Sequence, residues 1–85
     1  MAWNVHLPER VDKRIRKFPR RDNIRIVEIL RSFEVDPWRG DIVKIKGHDN
    51  LWRKRVGDYR IFYSVKAEVK IVEIKEIERR GSKTY

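Results

Sequence analysis

The sequence predicts an α+β domain in which an N-terminal helical hairpin packs on one face of an antiparallel β-sheet. Three patterns predict it. Residues 2–7 alternate as a strand does, 9–33 carry two apolar stripes at helical spacing, and 42–78 hold short β-branched runs broken by turn residues. The predicted order is β-α-α-β-β-β. With 85 residues the chain has room for one core, so we expect residues 1–85 to form a single domain.

The N-terminal segment predicts a strand followed by a helix. Residues 2–7 alternate apolar and polar side chains. Pro8 ends this strand and suits the first turn of a helix. From residue 9 to residue 18 the apolar side chains fall at i, i+4 and i+7 with cations between them, which predicts a narrow amphipathic helix with a basic outer face.

A second helix is predicted after Pro19, which should end the first. Asp22 or Asn23 is expected to cap it, and Asp36-Pro37 to close it. Its wide apolar stripe consists of Ile24, Ile26, Val27, Ile29, Leu30 and Phe33. Because the connection is short, the two helices should form an antiparallel hairpin.

The remaining strands form a predicted meander. Residues 42–46 predict a short strand, and residues 51–66 predict a hairpin turning at Gly57, which supplies the positive φ of a primed turn. Residues 68–78 alternate imperfectly, as a strand does when both its faces are buried or when it carries a bulge. No segment is left to cover the second face of the sheet, so we expect that face to be functional.

Composition and charge restrict the possible functions. The net charge is +9 and 41% of residues are charged, which favours a phosphate-rich or acidic partner, although it could also be a solubility charge. The absence of cysteine excludes disulfides, thiolate metal sites and cysteine nucleophiles. The only imidazoles are His6 and His48, so neither a metal site nor a cofactor is expected. No long apolar stretch is present, and we expect a soluble cytoplasmic protein.

Arginines around the predicted hairpin are the strongest candidate site. Arg53 and Arg55 share a face by alternation, and Arg60 joins them only if the register of the turn permits. Lys54 points to the opposite face. Arginine binds phosphate through two parallel hydrogen bonds and stays charged, so such a cluster could clamp a phosphate. The alternative is a set of solvated cations that protect a strand edge.

Other candidates are less specific. Lys44 and Lys46 could extend the arginine cluster or be ordinary surface lysines. Arg79, Arg80 and Tyr85 follow the last strand, where the tyrosine could stack on a base, donate its hydroxyl or belong to a frayed tail. The tryptophans are more typical of core or partner contacts than of base stacking. They are Trp3, Trp38 and Trp52.

The segment WRKRVGDYRIFY at 52–63, the order of elements and the closing Arg79 to Tyr85 resemble the RelE/ParE superfamily of toxin–antitoxin toxins, and RelE above all. The resemblance spans the whole chain. It implies cleavage of messenger RNA in the ribosomal A site. In that reaction the 2′-hydroxyl attacks the adjacent phosphate and leaves a 2′,3′-cyclic phosphate.

The resemblance also implies roles for residues. The expected catalytic residues are Arg53, Arg55, Arg60, Arg79 and Tyr85. The expected RNA-binding residues are Lys44, Lys46, Lys54, Arg80 and Lys83. This chain departs from the usual family pattern, because lysines are usual at the positions of Arg53 and Arg55. Arginine stays protonated up to about pH 12 and cannot readily serve as a general base, although it can stabilise a phosphorane.

The resemblance further implies partners. A toxin of this superfamily is expected to bind a small acidic antitoxin in a hetero-oligomer, and to act on the ribosome and messenger RNA. Two alternatives remain open from the sequence. A ParE-like protein would inhibit DNA gyrase without cleaving RNA. A catalytically weak basic module, or a degenerate toxin retained in a complex, would only bind nucleic acid.

Overall fold

The computed structural model describes residues 3–79, which form two helices and one five-stranded sheet. The elements are β1 (Asn4–His6), α1 (Glu9–Arg16), α2 (Arg20–Ser32), β2 (Ile42–Lys44), β3 (Trp52–Val56), β4 (Tyr59–Lys66) and β5 (Ile71–Arg79). The strand order is β1-β5-β4-β3-β2. The predicted α+β class and order of elements are therefore confirmed.

One feature of the sheet differs from the prediction, since the sheet is mixed rather than fully antiparallel. β1 runs parallel to β5, with Asn4 opposite Ile71 and His6 opposite Glu73. A parallel pair needs a long crossover connection, and here the helical hairpin and the meander together supply it. The other neighbouring strands are antiparallel.

The predicted hairpin and bulge are both present. Gly57 has a φ of +57° in the two-residue turn between β3 and β4. In the β4–β5 ladder the register shifts between Phe62 and Tyr63 of β4, whose partners on β5 are Glu76 and Ile74. This bulge leaves Lys75 without a partner in the ladder, and its carbonyl accepts a hydrogen bond of 2.7 Å from Arg10 Nη2 of α1.

Both helices pack on the same face of the sheet and enclose the core. Its buried side chains are Val11, Ile15, Ile26, Leu30, Phe33, Val56, Tyr59, Ile61, Tyr63, Val65, Val72, Ile74 and Ile77. The Phe33 and Tyr63 rings lie 4.7 Å apart between their centroids. Neither helix within residues 3–79 is long and apolar enough to cross a membrane. We call the sheet face opposite the helices the open face.

The helix ends differ from the predicted ones. α1 ends at Arg16, and α2 begins directly after Pro19, so neither Asp22 nor Asn23 caps it. Instead, Asn23 Nδ2 donates to the Ile15 carbonyl at 3.2 Å and ties the two helices together. The predicted caps are wrong because Pro19 already sets the extended backbone from which a helix can start.

The apolar stripe of α2 is narrower than predicted. Ile26, Leu30 and Phe33 are buried, whereas Ile24 is 50% exposed and Val27 is 37% exposed. The helix therefore presents apolar side chains to solvent on the side away from the sheet.

Candidate active site

Two arginines face each other on the open face. The β3–β4 ladder pairs Arg55 with Arg60 across the two-residue turn. Directly opposite residues of an antiparallel ladder share a face, with Cβ atoms about 4.5–5.5 Å apart. The register that the sequence left open is thus resolved, and Arg60 lies on the same face as Arg53 and Arg55.

Carboxylates flank this arginine pair on both sides. In the β4–β5 ladder Arg60 lies opposite Glu78, and its Nη2 is 2.9 Å from Glu78 Oε1. On the other side, the Arg55 amide donates to the Asp41 carbonyl at 3.0 Å, and Arg55 Nε lies 3.9 Å from Asp41 Oδ2. We call the set Asp41, Arg55, Arg60 and Glu78 the arginine row.

Arg53 lies next to the arginine row on the same face. The ladders place it between Val43 of β2 and Phe62 of β4, and its side chain is only 15% exposed. Its Nη2 lies 3.7 Å from Asp41 Oδ1. Phe62 adds a partly exposed aromatic ring to the open face, a surface on which a nucleobase could stack.

The guanidinium groups retain unused hydrogen-bond donors. The buried Nε atoms of Arg53 and Arg60 have no hydrogen-bond partner in the part of the chain that the structure describes. Buried donors are normally satisfied, so these two atoms are a cost to the fold, whereas the side chains of Arg60 and Arg55, 38% and 45% exposed, can present other guanidinium donors to an acceptor on the open side. Guanidinium donors match the oxygens of a phosphate in geometry and charge, and they can stabilise the charge of a phosphorane.

Lys54 has a structural position instead of the expected RNA-binding one. Strand alternation turns it towards the helices, where it is 8% exposed and its Nζ donates to the Arg39 carbonyl at 2.9 Å. The same Nζ lies 5.3 Å from the centroid of the Phe33 ring. Burial lowers the pKa of Lys54, opposed by the nearby Asp36 carboxylate. Because its ammonium group is buried and already bonded, the assignment of Lys54 to RNA binding is corrected.

Lys44 lies on the face of the sheet opposite the arginine cluster, and the role expected of Lys46 stays a prediction. On β2 it is Val43 that pairs with Arg53, so Lys44 lies on the opposite face, with Nζ 5.9 Å from the centroid of the Trp52 ring. β2 ends at Lys44, and Lys46 is exposed in the following turn.

Arg79 also lies away from the arginine row. It pairs with Tyr59 in the β4–β5 ladder, which places it on the helix side of the sheet, and its Cζ lies 5.8 Å from the centroid of the Tyr59 ring. Arg80, Lys83 and Tyr85 lie outside the described residues. The roles expected of these three residues stay predictions.

The sequence reasoning missed the two carboxylates of the arginine row. The alternation of β5 could have placed Glu78 on the open face, but its partner depends on the bulge and the register of two ladders. Asp41 precedes β2 in a loop, and no sequence pattern indicates that it reaches Arg53 and Arg55.

Comparison with known proteins identifies the family. No family model matches the chain. A toxin named RelE1 from Methanocaldococcus jannaschii is 30% identical over 83 residues, which cover 94% of this chain and 92% of that protein. The chain belongs to the RelE family of toxins. The resemblance seen in the 52–63 segment is therefore confirmed.

Solved structures of RelE proteins have the same fold. RelE in the archaeal RelE–RelB complex from Pyrococcus horikoshii OT3 matches with a TM-score of 0.83 and 30% identity, over 98% of this chain and 100% of that chain. In the RelB–RelE antitoxin–toxin complex from Methanococcus jannaschii the TM-score is 0.73 at 26% identity, over 91% of this chain and 92% of that chain. The arginine row therefore lies on the sheet of a RelE fold.

Proposed function

We propose that this RelE-family protein is the toxin of a type II toxin–antitoxin system and that it cleaves messenger RNA in the ribosomal A site. The observation that carries the proposal is the facing pair Arg55 and Arg60, set in register on a rigid sheet with side chains 45% and 38% exposed. A target on the ribosome would place the protein in the cytoplasm.

In the proposed reaction the scissile phosphate binds between Arg55 and Arg60. The ribose 2′-oxygen attacks phosphorus, the bond from phosphorus to the 5′-oxygen breaks, and a 2′,3′-cyclic phosphate and a 5′-hydroxyl remain. The guanidinium groups, with Arg53 beside them, stabilise the charge that develops on the equatorial oxygens. Arg79 and Tyr85 enter only as the family resemblance implies, as contacts from the C-terminal end of the chain.

Positioning by the ribosome would supply much of the catalysis. Holding the 2′-oxygen in line with the breaking bond can contribute about 7–11 kcal/mol, which reduces what the protein's own groups must provide. This division of labour suits a site built from arginines, which bind and stabilise charge well.

The proposed protein partner is a small acidic antitoxin in a hetero-oligomer. Two RelE structures similar to this chain are complexes with RelB. The net charge of +9 favours an acidic partner, and the exposed apolar side chains of Ile24, Val27 and Trp38 offer anchoring surface. Co-purification of this chain with the acidic product of a neighbouring gene would test the proposal.

Cleavage on programmed ribosomes tests the activity. The wild-type protein should produce messenger truncated in the A site with cyclic phosphate ends. Arg60→Ala should lower the rate by about 100- to 1,000-fold, the usual cost of one lost transition-state donor. Arg31→Ala is the matched control, because it removes an exposed positive charge from α2 and should keep the wild-type rate.

The same preparations separate the competing functions. Full cleavage by Arg60→Ala would contradict the assignment of the arginine row. Inhibition of gyrase supercoiling without RNA cleavage would indicate a ParE-like toxin. Nucleic-acid binding without either effect would indicate a binding module.

A further inference from the structure

The arginine row contains a group that can remove the proton of the 2′-hydroxyl. Arg55 and Arg60 of the row, and Arg53 beside it, cannot remove this proton, because a guanidinium group stays protonated at neutral pH. We propose that Glu78 is the general base of the cleavage reaction. This inference rests on the proposed function and names the residue that the arginines leave unassigned.

Glu78 is placed beside the expected phosphate by its contact with Arg60. The two residues face each other in the β4–β5 ladder, and Arg60 Nη2 donates to Glu78 Oε1 at 2.9 Å. Arginine has five N–H donors, only one of them is used by Glu78, and the Arg60 side chain is 38% exposed. One guanidinium group can therefore hold the carboxylate and a phosphate oxygen together, which brings the carboxylate next to the ribose of that phosphate.

The neighbouring carboxylates are less suited to this role. Asp41 lies in a loop, its side chain is 57% exposed, and its carboxylate approaches the arginine side chains no closer than 3.7 Å. Glu76, the preceding carboxylate of β5, is turned to α1 at the bulge and lies 3.2 Å from Arg10 Nη1 and 4.0 Å from Arg14 Nη1. Of these three carboxylates within residues 3–79, only Glu78 combines a ladder position opposite Arg60 with a contact of 2.9 Å to its guanidinium group.

Glu78 and solvent water carry the protons of the proposed step. The Glu78 carboxylate takes the proton from the 2′-hydroxyl as the 2′-oxygen bonds to phosphorus. The bond from phosphorus to the 5′-oxygen breaks, and the leaving 5′-oxygen takes a proton from solvent water. Glu78 then returns its proton to solvent. During the step Arg60 moves none of its protons, and it offsets the repulsion between the carboxylate and the phosphate.

Two measurements on Glu78→Gln test the proposal. In single-turnover cleavage on programmed ribosomes, its rate should fall by about 100- to 10,000-fold, the usual contribution of general base catalysis. Its affinity for ribosomes carrying messenger with a 2′-O-methyl group at the cleavage position should be unchanged or higher, because the substitution removes a negative charge. Glu78→Asp keeps the carboxylate and should retain more activity than Glu78→Gln.

Glu73→Gln is the matched control, since Glu73 lies on the same strand and faces Ser64 in the ladder, away from the arginine row. It should cleave at the wild-type rate. A wild-type rate for Glu78→Gln would overturn the proposal, and so would a parallel loss of rate and 2′-O-methyl affinity, which would indicate that Glu78 only positions Arg60. Absence of cleavage by the wild-type protein would instead overturn the proposed function itself.

Discussion

Arg55 and Arg60 face each other directly across the β3–β4 ladder, so the sheet holds two like charges side by side. Directly opposed like charges destabilise a sheet. Each arginine has a carboxylate on its outer side, but the contact of Arg55 with Asp41 is long at 3.9 Å, whereas that of Arg60 with Glu78 is 2.9 Å. The positive charge of Arg55 is therefore less well compensated than that of Arg60. Such an imbalance is expected of a site that binds an anion.

Replacing the less compensated arginine should stabilise the isolated protein. We expect Arg55→Gln to raise the free energy of unfolding by about 0.2–1 kcal/mol, because it removes the repulsion with Arg60 and loses only a long ion pair. Urea unfolding at low salt measures the gain. In 1 M salt the gain should shrink, because the Debye length falls to about 3 Å.

Arg53→Gln is the matched control, because Arg53 lies on the same strand and face but opposite Phe62. It should give no such gain. A lower stability for Arg55→Gln at low salt would show that the facing cations do not repel each other in the fold.

Glycine at position 40 should be needed for two separate reasons. Gly40 has a φ of +106°, and a Cβ there would lie 3.1 Å from Lys54 Cε and 3.2 Å from Lys54 Nζ. We expect Gly40→Ala to lower the free energy of unfolding by about 1–3 kcal/mol from backbone strain, and by a further amount because it displaces Lys54 from the Arg39 carbonyl.

Gly47→Ala separates these two causes. Gly47 has a φ of +88°, but a Cβ there would meet no atom within 4 Å among the described residues. Urea unfolding should therefore show a smaller loss for Gly47→Ala. In a double-mutant cycle with Lys54→Met the additional loss of Gly40→Ala should disappear, and its persistence would contradict the contact with Lys54.

The pH dependence of stability should show how much the neutral hydroxyl of Tyr59 stabilises the fold. Its hydroxyl donates to Asp22 Oδ2 at 2.6 Å, and burial together with this hydrogen bond raises the pKa of Tyr59 to about 12. The unfolded value is about 10, so the stabilisation by the neutral phenol is complete below pH 10 and is lost as the pH rises to 12.

Urea unfolding at pH 9 and pH 11 measures this effect. Between these pH values the free energy of unfolding of the wild-type protein should fall by up to about 1.4 kcal/mol per pH unit more than that of Tyr59→Phe, which has no phenol to ionise at that position. Equal losses for the two proteins would show that the Tyr59 hydroxyl is not stabilised in the fold.

Local patterns explain which features of the fold the sequence predicts well. The turn at Gly57 and the period-two alternation of β3 place Arg53 and Arg55 on one face, because both depend on neighbouring residues. The parallel pairing of β1 with β5 could not be predicted in this way. It joins Asn4 to Ile71 across most of the chain, and no local pattern specifies that partner.

The candidate site was predictable only in part for the same reason. Its arginines follow from alternation, but its carboxylates depend on the registers that bring three strands and a loop together. For Lys54 the sequence predicted the face of the sheet but not the contacts that the side chain makes there. Alternation points it towards the helices, yet its charge suggested RNA binding, and only the position of the Arg39 carbonyl explains how a lysine is accommodated there.

The side-chain amide of Asn50 pairs with the backbone of Val65 as a residue of a neighbouring strand would, and it provides a last test. Asn50 Nδ2 donates to the Val65 carbonyl at 2.8 Å, and its Oδ1 accepts from the Val65 amide at 3.0 Å and from Trp52 Nε1 at 3.2 Å. In Asn50→Asp a carboxylate oxygen would face the Val65 carbonyl. We expect the free energy of unfolding to fall by about 1–3 kcal/mol at pH 7, measured by urea unfolding.

Acid should relieve this loss, since a protonated carboxyl group can donate to the Val65 carbonyl. We expect the repulsion from the Val65 carbonyl to outweigh the two N–H donors to Oδ1 and to raise the pKa of the introduced aspartate in the folded state above its unfolded value of about 3.9, so stability relative to wild type should recover as the pH falls to 4. Asn50→Ala is the control: it loses all three bonds and should show no recovery. If Asn50→Asp loses the same stability at both pH values, the Asn50 amide does not donate to Val65, and the loop before β3 is held in place by other contacts.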